Sequence, residues 1–263
     1  MLRGMRRVWV DIISKYEKYG VGTKHITNEG YEIEVVEKIN RIRRRIIFED
    51  GYEIKVKCSN IGAGTIKNPY HSSVFSVGYL GVGEYKAQIK GKQTPEYGVW
   101  TNMLGRCYDE KYQEKYPTYK GVSVCKEWHD FQNFADFYHK NNPKIDGVKF
   151  QLDKDLLQQY TESKIYSPET CIFLPCNVNG FLANKQSNNT SGYIGVSWAK
   201  HTKKWQVRIK LFGEGKEKYL GCFATPEEAS EAYQSVRKVE SEKVKEYLRS
   251  LNYLSEEIIQ LVK

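Results

Sequence analysis

Tyr193-Ile194-Gly195-Val196-Ser197, Trp205-Gln206-Val207-Arg208-Ile209-Lys210-Leu211 and Lys218-Tyr219-Leu220-Gly221-Cys222-Phe223 are followed at once by Thr225-Pro226-Glu227-Glu228. The three runs are rich in β-branched and aromatic residues and are parted by turn-forming stretches, which predicts three short antiparallel strands. The four residues after them are a helix start. Thr225 caps, Pro226 takes the first helical position and Glu228 closes a capping box. Ala229, Ala232, Tyr233 and Val236 then recur at helical spacing, and two small residues in that stripe let the helix approach a sheet closely. The helix is expected to run to about Leu251, with a short last one from Ser255. Strand alternation assigns Trp205, Val207 and Ile209 to one face and Gln206, Arg208 and Lys210 to the other. Ser197, Trp198, Lys200 and Lys203 fall on the neighbouring strand and its turn, and Lys218 on the third strand.

Upstream, Thr94-Pro95-Glu96 starts another helix, in which Tyr97, Trp100, Met103, Leu104 and Cys107 keep helical spacing. Trp128, Phe131, Phe134, Ala135 and Tyr138 form a second aromatic stripe, and both stripes read as core. A polar stretch from Asn184 to Ser191 has linker composition. The first block reads as β. Tyr31, Ile33 and Val35 alternate with Glu32 and Glu34, and Glu49-Asp50-Gly51 sits between Ile42–Phe48 and Tyr52–Val56 as a hairpin turn. A small twisted sheet or barrel is expected over 22–88, behind a short helix. Gly78-Tyr79-Leu80-Gly81-Val82-Gly83 lacks the spacing and strand-to-helix context of a phosphate loop. The expected fold class is α+β. It has a small amino-terminal sheet or barrel over 1–93, an α+β block over 94–189, and a three-stranded sheet with helices over 190–263.

The chain has 263 residues and a formal net charge of +9, with 40% hydrophobic and 13% aromatic residues. That composition supports packed cores and excludes wholesale disorder. No apolar run approaches the ~18 residues of a membrane span, and Asp11 and Lys15 interrupt any signal-like segment, so a cytoplasmic protein is expected. Six cysteines fit a reducing compartment. The three blocks carry net charges of +7, −1 and +3, and residues 190–223 alone carry +5. A basic segment beside an acidic helical one suits a polyanion; an ordinary solvated surface is the alternative.

Tyr193-x-Gly195-Val196, Trp205-x-x-x-Ile209, Leu220-Gly221-x-Phe223 and Thr225-x-Glu227-Glu228-Ala229-x-x-Ala232-Tyr233 resemble the DNA-binding domain of plant ethylene-response factors, also common in phage and mobile-element proteins. The resemblance implies that the sheet enters the major groove and that Arg and Trp side chains on its exposed face contact bases and phosphates. Ser197, Trp198, Lys200, Lys203, Arg208, Lys210 and Lys218 are then the DNA-binding candidates.

Asp153-Lys154-Asp155, followed by Ser167-Pro168-Glu169-Thr170-Cys171-Ile172-Phe173-Leu174-Pro175 and then Asn177 and Asn179, resembles a degenerate HNH endonuclease core of the homing-endonuclease type. The resemblance implies a strand–loop–strand–helix unit in which Asp153, Asp155 and Asn179 hold Mg²⁺ or Mn²⁺. The chemistry needs such a hard cation on oxygen ligands and a general base. Phe150 and Gln151 occupy the positions where the family carries histidines, and neither accepts a proton near neutral pH. His129 and His139 are the nearest substitutes in sequence, so His129 joins the catalytic candidates. Cys107, Cys125, Cys171 and Cys176 lack a C-x-x-C pair and read as buried thiols, not as a structural zinc site.

Three readings follow. The first is a double-stranded DNA-binding protein of phage or mobile-element type, in a bacterial host by resemblance, that nicks or cuts with a divalent metal. The second is a DNA-binding regulator that keeps the scaffold without its base. The third is an inhibitor of a protein partner acting through the amino-terminal block. There Arg41, Arg43, Arg44 and Arg45 suit DNA or protein equally, with Arg43 and Arg45 the leading DNA-binding candidates.

Overall fold

In the computed structural model, which describes residues 16–161, 163–182, 189, 191–214 and 216–263, Thr225 caps a helix over Pro226–Leu251. Its hydroxyl accepts from the Glu228 amide at 3.2 Å, and the Glu228 carboxylate accepts from the Thr225 amide at 3.4 Å. The chain is mixed α+β and divides into two compact units. One comprises Met1–Ser73 with Tyr79–Val82, the other Val74–Gly78 with Gly83–Lys263.

In the first unit, strands β1 (Lys24–Ile26), β2 (Glu32–Lys38), β3 (Arg43–Phe48) and β4 (Glu53–Lys57) form an antiparallel sheet in sequence order, followed by helix α1 (Cys58–Ala63). Alternation buries Ile33 and Val35 on β2 and Ile46 and Phe48 on β3. The Asp-Gly turn is present. Phe48 N donates to Tyr52 O at 2.9 Å, and Gly51 sits at φ 87°, a conformation glycine adopts without steric cost. The sheet is open, so the barrel alternative is not realised among the described residues. The short helix expected ahead of it falls largely outside them.

In the second unit, β5 (Gln88–Ile89) and β6 (Lys92–Gln93) lead into α2 (Pro95–Tyr108), followed by α3 (Glu110–Lys115). Thr94 precedes α2 as expected, but its hydroxyl donates to Lys86 O at 2.9 Å and does not cap the helix. Then come β7 (Ser123–Val124), a 3₁₀ turn at Lys126–His129 and α4 (Phe131–Asn141). Both aromatic stripes are core. Trp100, Leu104, Trp128, Phe131, Phe134 and Ala135 are fully buried, although Trp128 lies on the 3₁₀ turn ahead of the helix.

Strand β8 (Phe150–Asp153), β9 (Ile165–Tyr166) and β10 (Ile172–Pro175) precede α5 (Cys176–Leu182). β8 and β10 pair antiparallel, with Asp153 opposite Ile172 and Gln151 opposite Leu174. β11 (Val196–Ala199), β12 (Lys204–Lys210) and β13 (Glu217–Phe223) form the carboxy-terminal sheet in that order, and α6 (Pro226–Leu251) follows, then α7 (Glu256–Ile259). Ala229 and Tyr233, from the first turns of α6, pack with Val196, Val207, Ile209 and Leu211. At ~1.5–3 kcal/mol per large buried apolar side chain, this cluster is what holds helix to sheet. Val244 and Leu248, about three and four turns beyond Tyr233, instead pack with Leu174, Val178 and Phe181 of the β10–α5 region. One helix therefore joins both cores. Glu240, buried between them, accepts from the Phe212 amide at 2.7 Å and pairs with Lys243 at 2.6 Å.

Gly195 sets the start of β11. It sits at φ 72°, and a Cβ there would run into the Tyr233 ring and lie 2.7 Å from Arg208 O. Among the described residues no helix is long and apolar enough to cross a membrane.

Candidate functional site

The face of the carboxy-terminal sheet away from α6 follows from register. Val207 and Ile209 are buried, so Arg208 and Lys210, between and after them, point outward and are exposed. Lys204 and Gln206 share that face by alternation. Gln206 is opposite Ser197 and opposite Cys222, and its amide donates to the Ser197 hydroxyl at 3.1 Å. Arg208 is opposite Tyr219, with its guanidinium 5.8 Å from the ring centroid. Lys210 is opposite Glu217. A bulge between Val207 and Arg208 keeps this order, because it lets Tyr219 follow Arg208 outward. The Tyr219 hydroxyl donates to Cys222 Sγ at 3.1 Å, and that bond with the Thr202 contact holds the Cys222 thiol below its ordinary range.

Arg208, Lys204, Lys210, Lys200 and Lys203 form no ion pair among the described residues. Lys200 and Lys203 flank the β11–β12 turn, where Lys203 takes a left-handed backbone at φ 53°. Two other candidates fall elsewhere. Trp198 pairs directly with Trp205, edge to face at 5.1 Å, so it lies on the helix-side face at the open end of the sheet, 44% exposed. Lys218 is opposite Ile209 and lies on that same side at the edge.

The amino-terminal arginines are placed differently. Arg44 is buried and donates to the carbonyls of Tyr19, Asn40, Arg43 and Tyr16, at 2.5 to 3.3 Å. Arg45 pairs with Glu37 at 2.9 Å and Glu53 at 3.0 Å. Arg43 is exposed at the start of β3.

The β8–β10–α5 unit brings Gln151 and Asn179 together, with the Asn179 amide donating to Gln151 Oε1 at 3.1 Å. Asp153 is buried and acts as a turn device. Its Oδ1 accepts from the Asp155 and Leu156 amides at 3.0 and 2.8 Å, while burial raises its pKa more than those bonds lower it. Asp155 is bound by Lys154 at 2.9 Å and by Lys164; burial opposes its ionised form, but these two ammonium groups hold its pKa below the usual carboxylate range. Mg²⁺ or Mn²⁺ does not suit the two carboxylates as arranged, because one is committed to backbone amides and the other to two lysines. Among the described residues no cluster of three or more His, Cys, Asp or Glu could hold a metal.

His129 is not brought to this unit. It ends the 3₁₀ turn, edge-on to Tyr108 at 6.1 Å, and its buried Nε2 has no hydrogen-bond partner among the described residues. His139 stacks on Tyr85 at 5.0 Å and lies 3.7 Å from Glu96. All six cysteines are free thiols; burial pushes Cys107 and Cys171 up to about 12.

Gln151, Asn179, Asp153 and Asp155 line a cavity of about 650 Å³. Arg106, Lys154, Lys164, Arg237 and Lys263 line it too, so its walls carry more positive than negative charge. Sequence reading missed Lys204 and Tyr219 on the outward sheet face, and Arg106 and Arg237 in the cavity. Alternation counted back from Arg208 finds Lys204. No local signal finds the two arginines, which come from α2 and α6. No protein-family model, curated protein or solved structure matches this chain.

Proposed function

We propose that this protein binds double-stranded DNA through the outward face of its carboxy-terminal sheet. The observation that carries the reading is the row of Lys204, Arg208 and Lys210, exposed beside the Lys200 and Lys203 turn, none of them paired with a carboxylate among the described residues. Cations kept on a sheet without acid partners are available to phosphates, and an arginine among them can pair bidentately with a guanine edge. The helix lies on the opposite face, which leaves the sheet free to enter a groove. The resemblance of 191–240 to the ethylene-response-factor domain supports the same assignment. The six free thiols fit a reducing, cytoplasmic setting.

Within this reading the β8–β10–α5 unit is a degenerate HNH-like scaffold that does not cut. Gln151 stands where the family carries a base, and an amide cannot activate water near neutral pH. Two experiments test the proposal. A mobility-shift titration on duplex DNA should show affinity falling steeply with salt, by ~10³–10⁵ between 50 and 200 mM if about 6–10 phosphates are contacted; a flat response sinks the binding reading. Supercoiled plasmid incubated with Mg²⁺ or Mn²⁺ should remain closed, whereas nicking abolished by Asn179→Ala restores the nuclease.

A further inference from the structure

The cavity next to the β8–β10–α5 unit has no role in the sheet reading, and its lining is unusual for a structural void. Asp155 is already bound by Lys154 and Lys164, and Asp153 by backbone amides. What remains is a pair of guanidinium groups from distant parts of the chain, Arg106 on α2 and Arg237 on α6, neither with a carboxylate partner among the described residues. Arg106 is held by aromatic groups, 5.8 Å from the Tyr119 centroid and hydrogen-bonded to Tyr166. Arg237 lies over Phe181, 3.4 Å from its centroid. Burial works against the charge of both; in Arg237 it lowers the pKa, whereas in Arg106 the Tyr166 and Tyr119 contacts outweigh it and the pKa is raised. Stacking on a ring uses the face of a guanidinium and leaves its N–H edge for an anion. A charge withdrawn from water without a counter-charge is costly, and a phosphate supplies one in the geometry the fork matches.

We infer that this cavity binds the phosphate monoester of a single nucleotide, free or at the end of a DNA strand, through Arg106 and Arg237. Its volume of about 650 Å³ is that of a small-ligand site. A volume of that size holds one small ligand and not a duplex. The neighbouring amides of Gln151 and Asn179 supply neutral donors and acceptors for a base or sugar. Tyr160, 82% exposed at the rim beside Lys263, offers a ring on which a base can stack. No divalent metal is required, consistent with the engaged carboxylates. The inference is independent of the sheet, because none of the outward-facing cations lines the cavity.

Calorimetric titration of the full chain in EDTA tests it, with three probes: deoxyadenosine 5′-monophosphate, a short 5′-phosphorylated single strand, and the same strand without its phosphate. The mononucleotide should bind, and Arg237→Gln and Arg106→Gln should each weaken it about tenfold or more. Arg208→Glu with Lys210→Glu should leave it unchanged, which separates this site from the sheet. If the phosphorylated strand binds more tightly than the mononucleotide and the bare strand does not bind, the ligand is a strand end. If it binds no better than the mononucleotide, the ligand is a free nucleotide. Absence of binding to either phosphate probe at millimolar concentration overturns the inference, as does unchanged binding by Arg237→Gln whose near-ultraviolet circular dichroism matches the parent chain.

Discussion

The amino-terminal and carboxy-terminal sheets are both antiparallel and both basic, yet they use their cations in opposite ways. The amino-terminal block has the larger net charge, but Arg44 is buried on backbone carbonyls, Arg45 is held by Glu37 and Glu53, and Lys24 pairs with Glu32 at 2.6 Å. Its outer face also places Glu34, Ile47 and Glu53 in one row. In the carboxy-terminal sheet, Arg208 stands beside a tyrosine and Lys204 faces Ala199, and only Glu217 breaks the row. Net charge by block and the neighbours of each cation therefore rank the two sheets in opposite orders as candidates for phosphate contact. The proposal follows the neighbours, since an arginine already on a carboxylate gives up that pairing before it can serve a phosphate.

The largest effect expected from this contrast is on affinity. Arg208→Glu with Lys210→Glu should weaken duplex binding ~100-fold at moderate salt, whereas Arg45→Glu should change it less than about threefold. Equal losses in a mobility-shift comparison break the contrast. Next comes Gly195→Ala, which forces a Cβ into the Tyr233 ring at a positive φ. Urea unfolding should show a loss of ~2–4 kcal/mol, and an unaltered midpoint removes the argument that this glycine sets the docking of helix on sheet. Arg44→Met should cost ~2 kcal/mol in the same assay, because it leaves buried carbonyls without their donor. A neutral result there means Arg44 is not structural and returns it to the binding candidates.

The smallest effect lies outside both sheets. Glu256 receives two hydrogen bonds from Arg249, at 3.0 and 2.6 Å, and one from Gln260, which lower its pKa to about 2. A depressed carboxylate pKa contributes stability that is full above the ordinary carboxylate range and is lost as pH falls toward about 2. Glu256→Gln should remove that part of the acid dependence in a thermal melt series, so that the variant melts slightly below the parent chain at neutral pH and level with it near pH 2. Identical acid profiles would falsify the pairing.

How much was legible follows from how local each signal is. The capping box at Thr225 and Glu228, the Asp50-Gly51 turn and the alternation through Arg208 depend on residues a few positions apart, and all three are present. Trp198 was not legible in the same way. Its face depends on which residue of β12 stands opposite, and pairing with Trp205 turned it toward the helix side. Thr94 shows a local signal overridden, since its hydroxyl found the Lys86 carbonyl. Asp153 is a metal-ligand candidate by resemblance alone, and the two backbone amides that its Oδ1 accepts from depend on the turn that follows it. The cavity was illegible because α2, β8, α5 and α6 meet only on folding, so no window of sequence holds both Arg106 and Arg237.

The claim that the outward face of β11–β13 meets phosphates is tested most directly by the slope of log affinity against log salt. Every phosphate that is no longer neutralised should reduce that slope by about 0.9, so Arg208→Gln with Lys210→Gln should lower it by nearly two while Arg45→Gln leaves it in place. Parallel lines for the parent chain and the Arg208/Lys210 variant contradict the account.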